Sequence, residues 1–125
     1  MSETKHSILL VEDEAPAALA LGNALEQAGY AVKKAGDGEV GLKLALSDHP
    51  DLILADLKMP KMSGMDMIKE IRKDEWGKTA EIIILTNVTD VAMLEEALSH
   101  DTFFYIVKSE TSINDVIATI KTRLG

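Results

Sequence analysis

The feature that most constrains the fold is the alternation of short apolar runs with longer stretches of helical spacing. Strand patterns occur five times, at Ser7–Val11, Tyr30–Ala35, Leu52–Ala55, Glu81–Thr86 and Phe103–Val107. Four of them are compact apolar runs without alternation, which is typical of strands buried on both faces of a parallel sheet. A helical pattern follows each strand. This order predicts an α/β fold, in which helices cover both faces of a doubly wound parallel sheet.

End signals and apolar spacing predict five helices. The first begins at Ala15-Pro16, where the N–H that proline lacks would be unpaired anyway, and it ends at Gly29. Its expected buried stripe is Leu19, Leu21, Leu25 and Ala28. The later helices begin near Val40, at Ser63-Gly64, after Asp90, and after Thr111 or Ser112. In the last three, the residues predicted to face the core are Met67, Ile68 and Ile71, then Met93, Leu94, Ala97 and Leu98, and then Ile113, Val116, Ile117 and Ile120.

Length, charge and cysteine content narrow the class of protein. A chain of 125 residues is expected to form a single domain over 1–125, with no effector domain attached. The absence of cysteine fits a reducing compartment, and the first residues lack the apolar core of a signal peptide, so we expect a cytoplasmic protein. A formal net charge of −8 argues against direct binding to nucleic acid. No apolar run approaches the length needed to span a membrane.

Polar residues with complementary chemistry follow four of the five predicted strands. Glu12 and Asp13 end the first strand, Asp56 the third, Thr86 the fourth and Lys108 the fifth. Right-handed crossovers bring the carboxyl ends of parallel strands to one edge of the sheet, where open α/β sheets bind their ligands. We therefore expect three carboxylates, a hydroxyl and an ammonium to converge in one crevice.

Such a cluster suits metal-assisted phosphoryl transfer. Three nearby carboxylates repel one another unless a cation joins them, and Mg²⁺ is the hard divalent ion that prefers oxygen ligands. Asp56 can then act as a carboxylate nucleophile toward phosphorus and form an acyl phosphate. Lys108 and Thr86 would share the charge on the phosphoryl oxygens with the metal.

These motifs resemble the receiver domain of two-component response regulators, and the similarity runs over essentially the whole chain. The residues that carry it are Glu12-Asp13 after Ile8–Val11, then Asp56–Pro60 with Gly64, Leu85-Thr86, and Tyr105–Lys108. The resemblance implies a flavodoxin-like (βα)5 fold with strand order 2-1-3-4-5. It indicates a stand-alone receiver of the chemotaxis-regulator kind, which is a phosphoacceptor signalling domain rather than an enzyme.

The resemblance also implies roles for individual residues. Asp56 would accept a phosphoryl group from a phosphohistidine on a sensor histidine kinase or a phosphotransfer protein. Asp13, Asp56 and the backbone carbonyl of Lys58 would ligate Mg²⁺, with Glu12 acting largely through water.

Signal output is implied in the same way. Thr86 and Tyr105 match the switch pair of the family, in which the hydroxyl turns toward the phosphoryl group and the ring turns inward. The fourth helix, fifth strand and fifth helix would then bind a downstream protein or a second copy of the chain.

Three departures from the family pattern stand out. Ser109 follows Lys108 where the family usually has proline, and a cis peptide before a non-proline residue costs about 3–4 kcal/mol. His100-Asp101-Thr102 replaces a small Gly-Ala turn, and Asn87 follows Thr86 where a small residue is usual. These positions put the loop geometry and the phosphoryl access in question.

Two other functions are compatible with parts of the pattern. A phosphatase of the haloacid dehalogenase type also forms an aspartyl phosphate with Mg²⁺, but its nucleophile usually ends the first strand, with a second Asp two residues later. A flavodoxin-like binding module would need a hydroxyl- and glycine-rich phosphate loop after the first strand. Glu12-Asp13-Glu14 stands there and would repel a phosphate. A receiver-like domain that is never phosphorylated is a third alternative.

Overall fold

The strands form one parallel sheet. The computed structural model describes residues 5–57, 59, 61–86, 92, 95, 96, 99, 104–108 and 111–124. The strands are β1 (Ser7–Val11), β2 (Ala31–Ala35), β3 (Leu52–Ala55), β4 (Ile82–Thr86) and β5 (Phe104–Val107). All four pairings are parallel, and the strand order is β2-β1-β3-β4-β5. The predicted fold class and strand order are therefore confirmed.

Helices cover both faces of this sheet. The described residues form α1 (Ala15–Gln27), α2 (Gly38–Asp48), α3 (Gly64–Lys73), a 3-10 helix (Trp76–Thr79) and the C-terminal helix (Ile113–Leu124). Among these described helices, none combines the length and the apolar character needed to cross a bilayer. Most of the predicted fourth helix, including Asp90, Met93, Leu94, Ala97 and Leu98, lies outside the described residues.

Side-chain caps decide where three of the helices begin. Asp37 accepts a hydrogen bond from the Val40 N–H at 2.9 Å, so α2 starts at Gly38, before the predicted Val40. Ser63 caps α3 as predicted, through a bond from the Asp66 N–H at 3.1 Å. Ser112, rather than Thr111, caps the C-terminal helix, because its hydroxyl accepts from the Asp115 N–H at 3.1 Å.

The core consists of two apolar layers, one on each face of the sheet. One lies between the sheet and helices α2 and α3, and its buried residues include Leu9, Val11, Ile53, Met67, Ile68 and Ile71. The other lies between the sheet and α1 with the C-terminal helix, and it includes Ile8, Leu10, Leu25, Leu54, Val116 and Ile120. Side chains alternate across a strand, so neighbouring residues of β1 and β3 enter different layers. Both strands are consequently apolar, apart from Ser7 at the start of β1.

Two residues predicted to be buried are exposed. Leu19 is 56% exposed, whereas Leu21 and Leu25 are buried. Residues two apart on a helix are separated by about 200°, so Leu19 and Leu21 cannot share a face. Ile113 is also exposed, because it opens the C-terminal helix at the margin of the core, before the buried Val116 and Ile120.

Hydrogen bonds between Ser7 and Asp51, and a ring contact, lie near the amino end of β3. The Asp51 carboxylate accepts from the Ser7 N–H at 2.7 Å and from the Ser7 hydroxyl at 3.3 Å. The Asp51 N–H donates back to the Ser7 hydroxyl at 3.0 Å. Close by in sequence, the His49 ring stacks on Trp76 with ring centroids 4.5 Å apart and planes 7° apart. These contacts join the start of β3 to β1, and the end of α2 to the 3-10 helix.

Candidate functional site

The candidate site is built on the carboxyl ends of three strands. Val11 of β1 is paired with Ala55 of β3, so the residues that follow them, Glu12 and Asp56, lie side by side. The Asp56 N–H donates to the Val11 carbonyl at 3.0 Å, and the Glu12 N–H donates to the Ala35 carbonyl at 3.0 Å. The hydrogen bonding of the sheet thus continues one residue past β1 and one residue past β3. It fixes the backbone of Glu12 and of Asp56.

Three carboxylates meet at this edge. Oxygens of Glu12, Asp13 and Asp56 all lie within 4.8 Å of one another. Glu12 and Asp56 are buried, while Asp13 is exposed. A surface cavity of about 410 Å³ borders Glu12 and Asp13 and extends along the start of α1 to Gly36. The cluster therefore contains two buried carboxylates and one exposed carboxylate, and it opens to solvent.

Lys108 brings a positive charge to the acids from the end of β5. Its Nζ lies 3.0 Å from Asp56 Oδ2 and forms an ion pair with Glu12 Oε1. A third carboxylate, that of Glu14, approaches Nζ at 3.4 Å. Among the described residues, three carboxylates thus contact one ammonium and a fourth, that of Asp13, lies beside two of them, so the site carries an excess of negative charge.

Burial and ion pairing shift the pKa values of this cluster. Burial raises the pKa of Glu12 above its ordinary value, and the nearby Asp56 charge acts in the same direction, although Lys108 opposes both. For Lys108, burial lowers the pKa, but the contacts with Glu12 and Asp56 outweigh burial and raise it. The lysine is therefore a permanent cation at neutral pH.

A glycine lets the loop after β3 pass close to the acids. The Gly64 N–H donates to the Leu57 carbonyl at 2.9 Å, which folds the start of α3 back against the end of β3. A Cβ atom at position 64 would overlap the carbonyl oxygen of Asp56. Gly64 consequently sets the position of the Asp56 backbone.

The remaining predicted residues lie partly outside the described structure. Thr86 ends β4 opposite Val107, so its backbone borders the site next to Lys108. Tyr105 is 45% exposed on β5. Lys58, Asn87, Ser109 and residues 100–102 are outside the described residues, and so is the peptide that follows Lys108.

Glu14 is the residue of this site to which the sequence assigned no individual role. It occupies the N-cap position of α1, yet its side chain makes no capping hydrogen bond and approaches Lys108 instead. A signal was present in the sequence. Glutamate is not among the preferred N-cap residues, so its place directly before Ala15-Pro16 is unusual for a cap.

A comparison with models of protein families identifies the family of the chain. The family model described as "Response regulator receiver domain" matches residues 8–121. The chain belongs to the response regulator receiver family. Within that family, receiver domains carry two-component signals.

Named relatives and a solved structure agree with this assignment. The receiver is 40% identical over 85% of its length to "Probable transcriptional regulator ycf27" of Guillardia theta, and it spans 41% of that protein. It is 36% identical over 74% of its length to "Probable chemotaxis protein CheY" of Rhizobium etli, and covers 73% of it. The structure of chemotaxis response regulator CheY4 of Vibrio cholerae superposes with a TM-score of 0.87 at 27% identity, covering 95% of this chain and 98% of that one.

The acidic cluster fits a bound Mg²⁺. Carboxylate oxygens are the ligands that this ion prefers, and the spacing of the three acids lets one oxygen from each approach a common point. Glu12 Oε1 is buried and, apart from its ion pair with Lys108, has no hydrogen-bond partner among the described residues. One ammonium cannot balance the three carboxylates of the cluster, and a divalent cation would offset the remaining negative charge.

Proposed function

We propose that this receiver is a phosphoacceptor, in which Asp56 takes a phosphoryl group from a phosphohistidine. The donor would be a sensor histidine kinase or a phosphotransfer protein. The observation that supports this most directly is the position of Asp56, which is buried among two further acids and lies 3.0 Å from the Lys108 ammonium. A carboxylate in that position can act as a nucleophile while a fixed cation faces it.

Transfer of the phosphoryl group from histidine to Asp56 needs no further reactant. An oxygen of Asp56 forms a bond to phosphorus as the bond from phosphorus to the histidine nitrogen breaks. The histidine ring, protonated on its other nitrogen, leaves as neutral imidazole with the bonding electron pair, and the product is an aspartyl phosphate. Lys108 offsets charge on the phosphoryl oxygens, and we propose that the hydroxyl of Thr86 adds a hydrogen bond.

We also propose a metal at this site. Glu12, Asp13 and Asp56 would hold Mg²⁺ together with the carbonyl of Lys58, and Glu12 would act largely through water. When bound, the ion supplies positive charge against the carboxylates and the incoming phosphoryl group.

Phosphorylation would then be read on another surface. Added phosphate brings about −1.5 to −2 charges, and we propose that Thr86 and Tyr105 respond together. The face formed by the predicted fourth helix, β5 and the C-terminal helix would bind a downstream protein or a second copy. A pull-down that compares phosphorylated with unphosphorylated protein tests this. Thr86→Ala should still accept phosphate and lose the phosphorylation-dependent capture, and an unchanged capture would exclude the role of the hydroxyl.

The acceptor assignment is tested by labelling with radioactive acetyl phosphate and Mg²⁺. Wild-type protein should gain a label that hydroxylamine removes, as expected for an acyl phosphate, and Asp56→Asn should gain none. Asp51→Asn is the matched control, because Asp51 precedes the same strand that Asp56 follows. Labelling that persists in Asp56→Asn would overturn the proposal.

A receiver of this kind differs from a phosphatase in its turnover of phosphate monoesters. A signalling domain should assist its own phosphorylation and dephosphorylation without hydrolysing phosphate monoesters. Steady hydrolysis of p-nitrophenyl phosphate that depends on Asp56 would favour an enzyme instead. The proposed exchange is cytoplasmic, which agrees with a chain that contains no cysteine.

A further inference from the structure

Lys108 contacts more carboxylates than a phosphoacceptor role for Asp56 requires. An ammonium has three N–H donors, and three carboxylates lie within ion-pair distance of this one, those of Glu12, Asp56 and Glu14. A phosphoryl oxygen on Asp56 can bind the ammonium after one of these acceptors has given way.

Glu14 is the acceptor that gives way most easily. Its contact with Nζ, at 3.4 Å, is the longest of the three, and its side chain is 67% exposed. Water can replace the contact at little cost, because exposed ion pairs contribute weakly. Glu12 and Asp56, in contrast, are buried against the lysine.

The backbone around Glu14 aims its side chain at the lysine. The Glu14 N–H donates to Glu12 Oε2 at 3.3 Å, which ties the start of α1 to the buried acid. The Glu14 carbonyl accepts from the Ala18 N–H at 2.9 Å and so opens the helix, while the Glu14 side chain leaves the helix uncapped. An N-cap residue that does not cap gives up a stabilising bond, and here its carboxylate contacts Lys108 instead.

We propose that Glu14 is a positioning residue that occupies one donor of Lys108 in the unphosphorylated protein and thereby slows phosphorylation of Asp56. The inference rests on the proposed phosphoacceptor function. The carboxylate of Glu14 holds the place that a phosphoryl oxygen takes during transfer, so each transfer includes the loss of this ion pair.

The test compares labelling rates for two variants of Glu14. Glu14→Gln removes the charge, and Glu14→Asp keeps the charge but shortens the reach to Lys108. If direct sharing of the ammonium slows the reaction, both variants should be labelled about two- to fivefold faster than wild type with acetyl phosphate and Mg²⁺. A long-range repulsion of the anionic donor would instead leave Glu14→Asp at the wild-type rate, and that result would overturn the proposal.

Thermal unfolding separates positioning from a structural role. Aspartate is a preferred N-cap residue, so Glu14→Asp should unfold at a higher temperature than Glu14→Gln, although both are labelled at the same increased rate. Rates that follow the unfolding temperatures would contradict a positioning role. Glu39→Gln is the charge control, since Glu39 lies in the first turn of α2, which follows β2 at the same edge of the sheet, and makes no contact with Lys108 in the described structure. Its rate should equal that of wild type, and an acceleration equal to that of Glu14→Gln would also overturn the inference.

The two proposals fail in different ways. If wild-type protein takes up no label, the phosphoacceptor function and the role of Glu14 are both wrong. If wild type is labelled and both Glu14 variants match its rate, the role of Glu14 alone is wrong.

Discussion

The two aspartates that flank β3 differ in exposure, in hydrogen-bond partners and in the charges around them. Asp51 precedes the strand, its side chain is 47% exposed, and it accepts hydrogen bonds from the N–H and hydroxyl of Ser7. Asp56 follows the strand, its side chain is 11% exposed, and it lies among two other acids and a lysine. The Ser7 N–H and hydroxyl, with the His6 ring 3.6 Å away, surround the first carboxylate and leave it a structural role. Excess negative charge surrounds the second, so it is the one suited to bind a cation and to react.

The largest expected effect concerns Gly64, which lies against the Asp56 carbonyl. Gly64→Ala should destabilise the protein by about 3 kcal/mol, because the added methyl group overlaps the Asp56 carbonyl and the backbone must move. Urea unfolding measures the loss. Gly36→Ala is the control at the same edge, where an added Cβ meets nothing within 4 Å. Equal stability of the two variants would break the claim that the Asp56 end of β3 is tightly constrained.

Metal binding should distinguish the two edges of the sheet, with Asp13 at one and Asp51 at the other, almost as strongly. A ligand present at 100 times its dissociation constant stabilises a folded protein by about 2.7 kcal/mol. We expect Mg²⁺ at such a concentration to raise the unfolding temperature of wild type, and of Asp51→Asn, but to have little effect on Asp13→Asn. If Asp51→Asn lost the response to Mg²⁺ and Asp13→Asn kept it, the contrast between the two edges of the sheet would be reversed.

A smaller effect is expected at the structural aspartate itself. Asp51→Ala removes the acceptor of the Ser7 N–H and hydroxyl, which should cost about 1 kcal/mol of unfolding free energy without changing phosphate labelling. Ser7→Ala removes part of the same set of bonds, so the two changes should be less than additive in the double variant. Full additivity would mean that the Ser7 contacts do not stabilise this end of the strand.

The smallest effect is expected at an exposed ion pair away from both aspartates. The hydrogen bond from Lys33 is the main cause that holds the pKa of Asp48 below its ordinary value of 3.8. A carboxyl group with a depressed pKa stabilises the fold above its unfolded pKa, and this contribution is lost as the pH falls through the folded value. Lys33→Gln should therefore be slightly less stable than wild type at pH 7, and the difference should disappear in acid.

Lys34→Gln is the control for the ion pair, because Lys34 points to the opposite face of β2. Its stability relative to wild type should not change with pH over the same range. A difference between wild type and Lys33→Gln that grows in acid would contradict the assignment of the pKa shift to Lys33.

The sheet and its acidic edge could be predicted for a simple physical reason. Parallel strands buried on both faces must be apolar along their whole length, so each one is visible as a run, and the first polar residue after it marks the edge. Glu12, Asp56 and Lys108 were placed at one edge in this way. The strand order needed the resemblance to a known family, because apolar runs alone do not say which strands are neighbours.

The features that the sequence did not predict depend on two things. One is how each helix is rotated about its axis, and the other is which of several side chains makes a given contact. Leu19 was expected inside, yet it lies outside, since an apolar residue at approximate spacing does not define the centre of the buried face. Thr111 and Ser112 were equally good caps, and the geometry of the turn selected Ser112. The contact between Glu14 and Lys108 joins residues 94 positions apart, so local pattern gave no information about it.

The stacked pair of His49 and Trp76 has a spectroscopic consequence. Trp76 is the sole tryptophan of the chain, and its ring lies on an imidazole beyond the end of α2, near the start of β3. Its fluorescence therefore reports on the end of the sheet opposite to the acids. Changes that disturb the His49–Trp76 stack should alter this emission, whereas events at Asp56 would need an extrinsic dye or a second indole to be seen by emission.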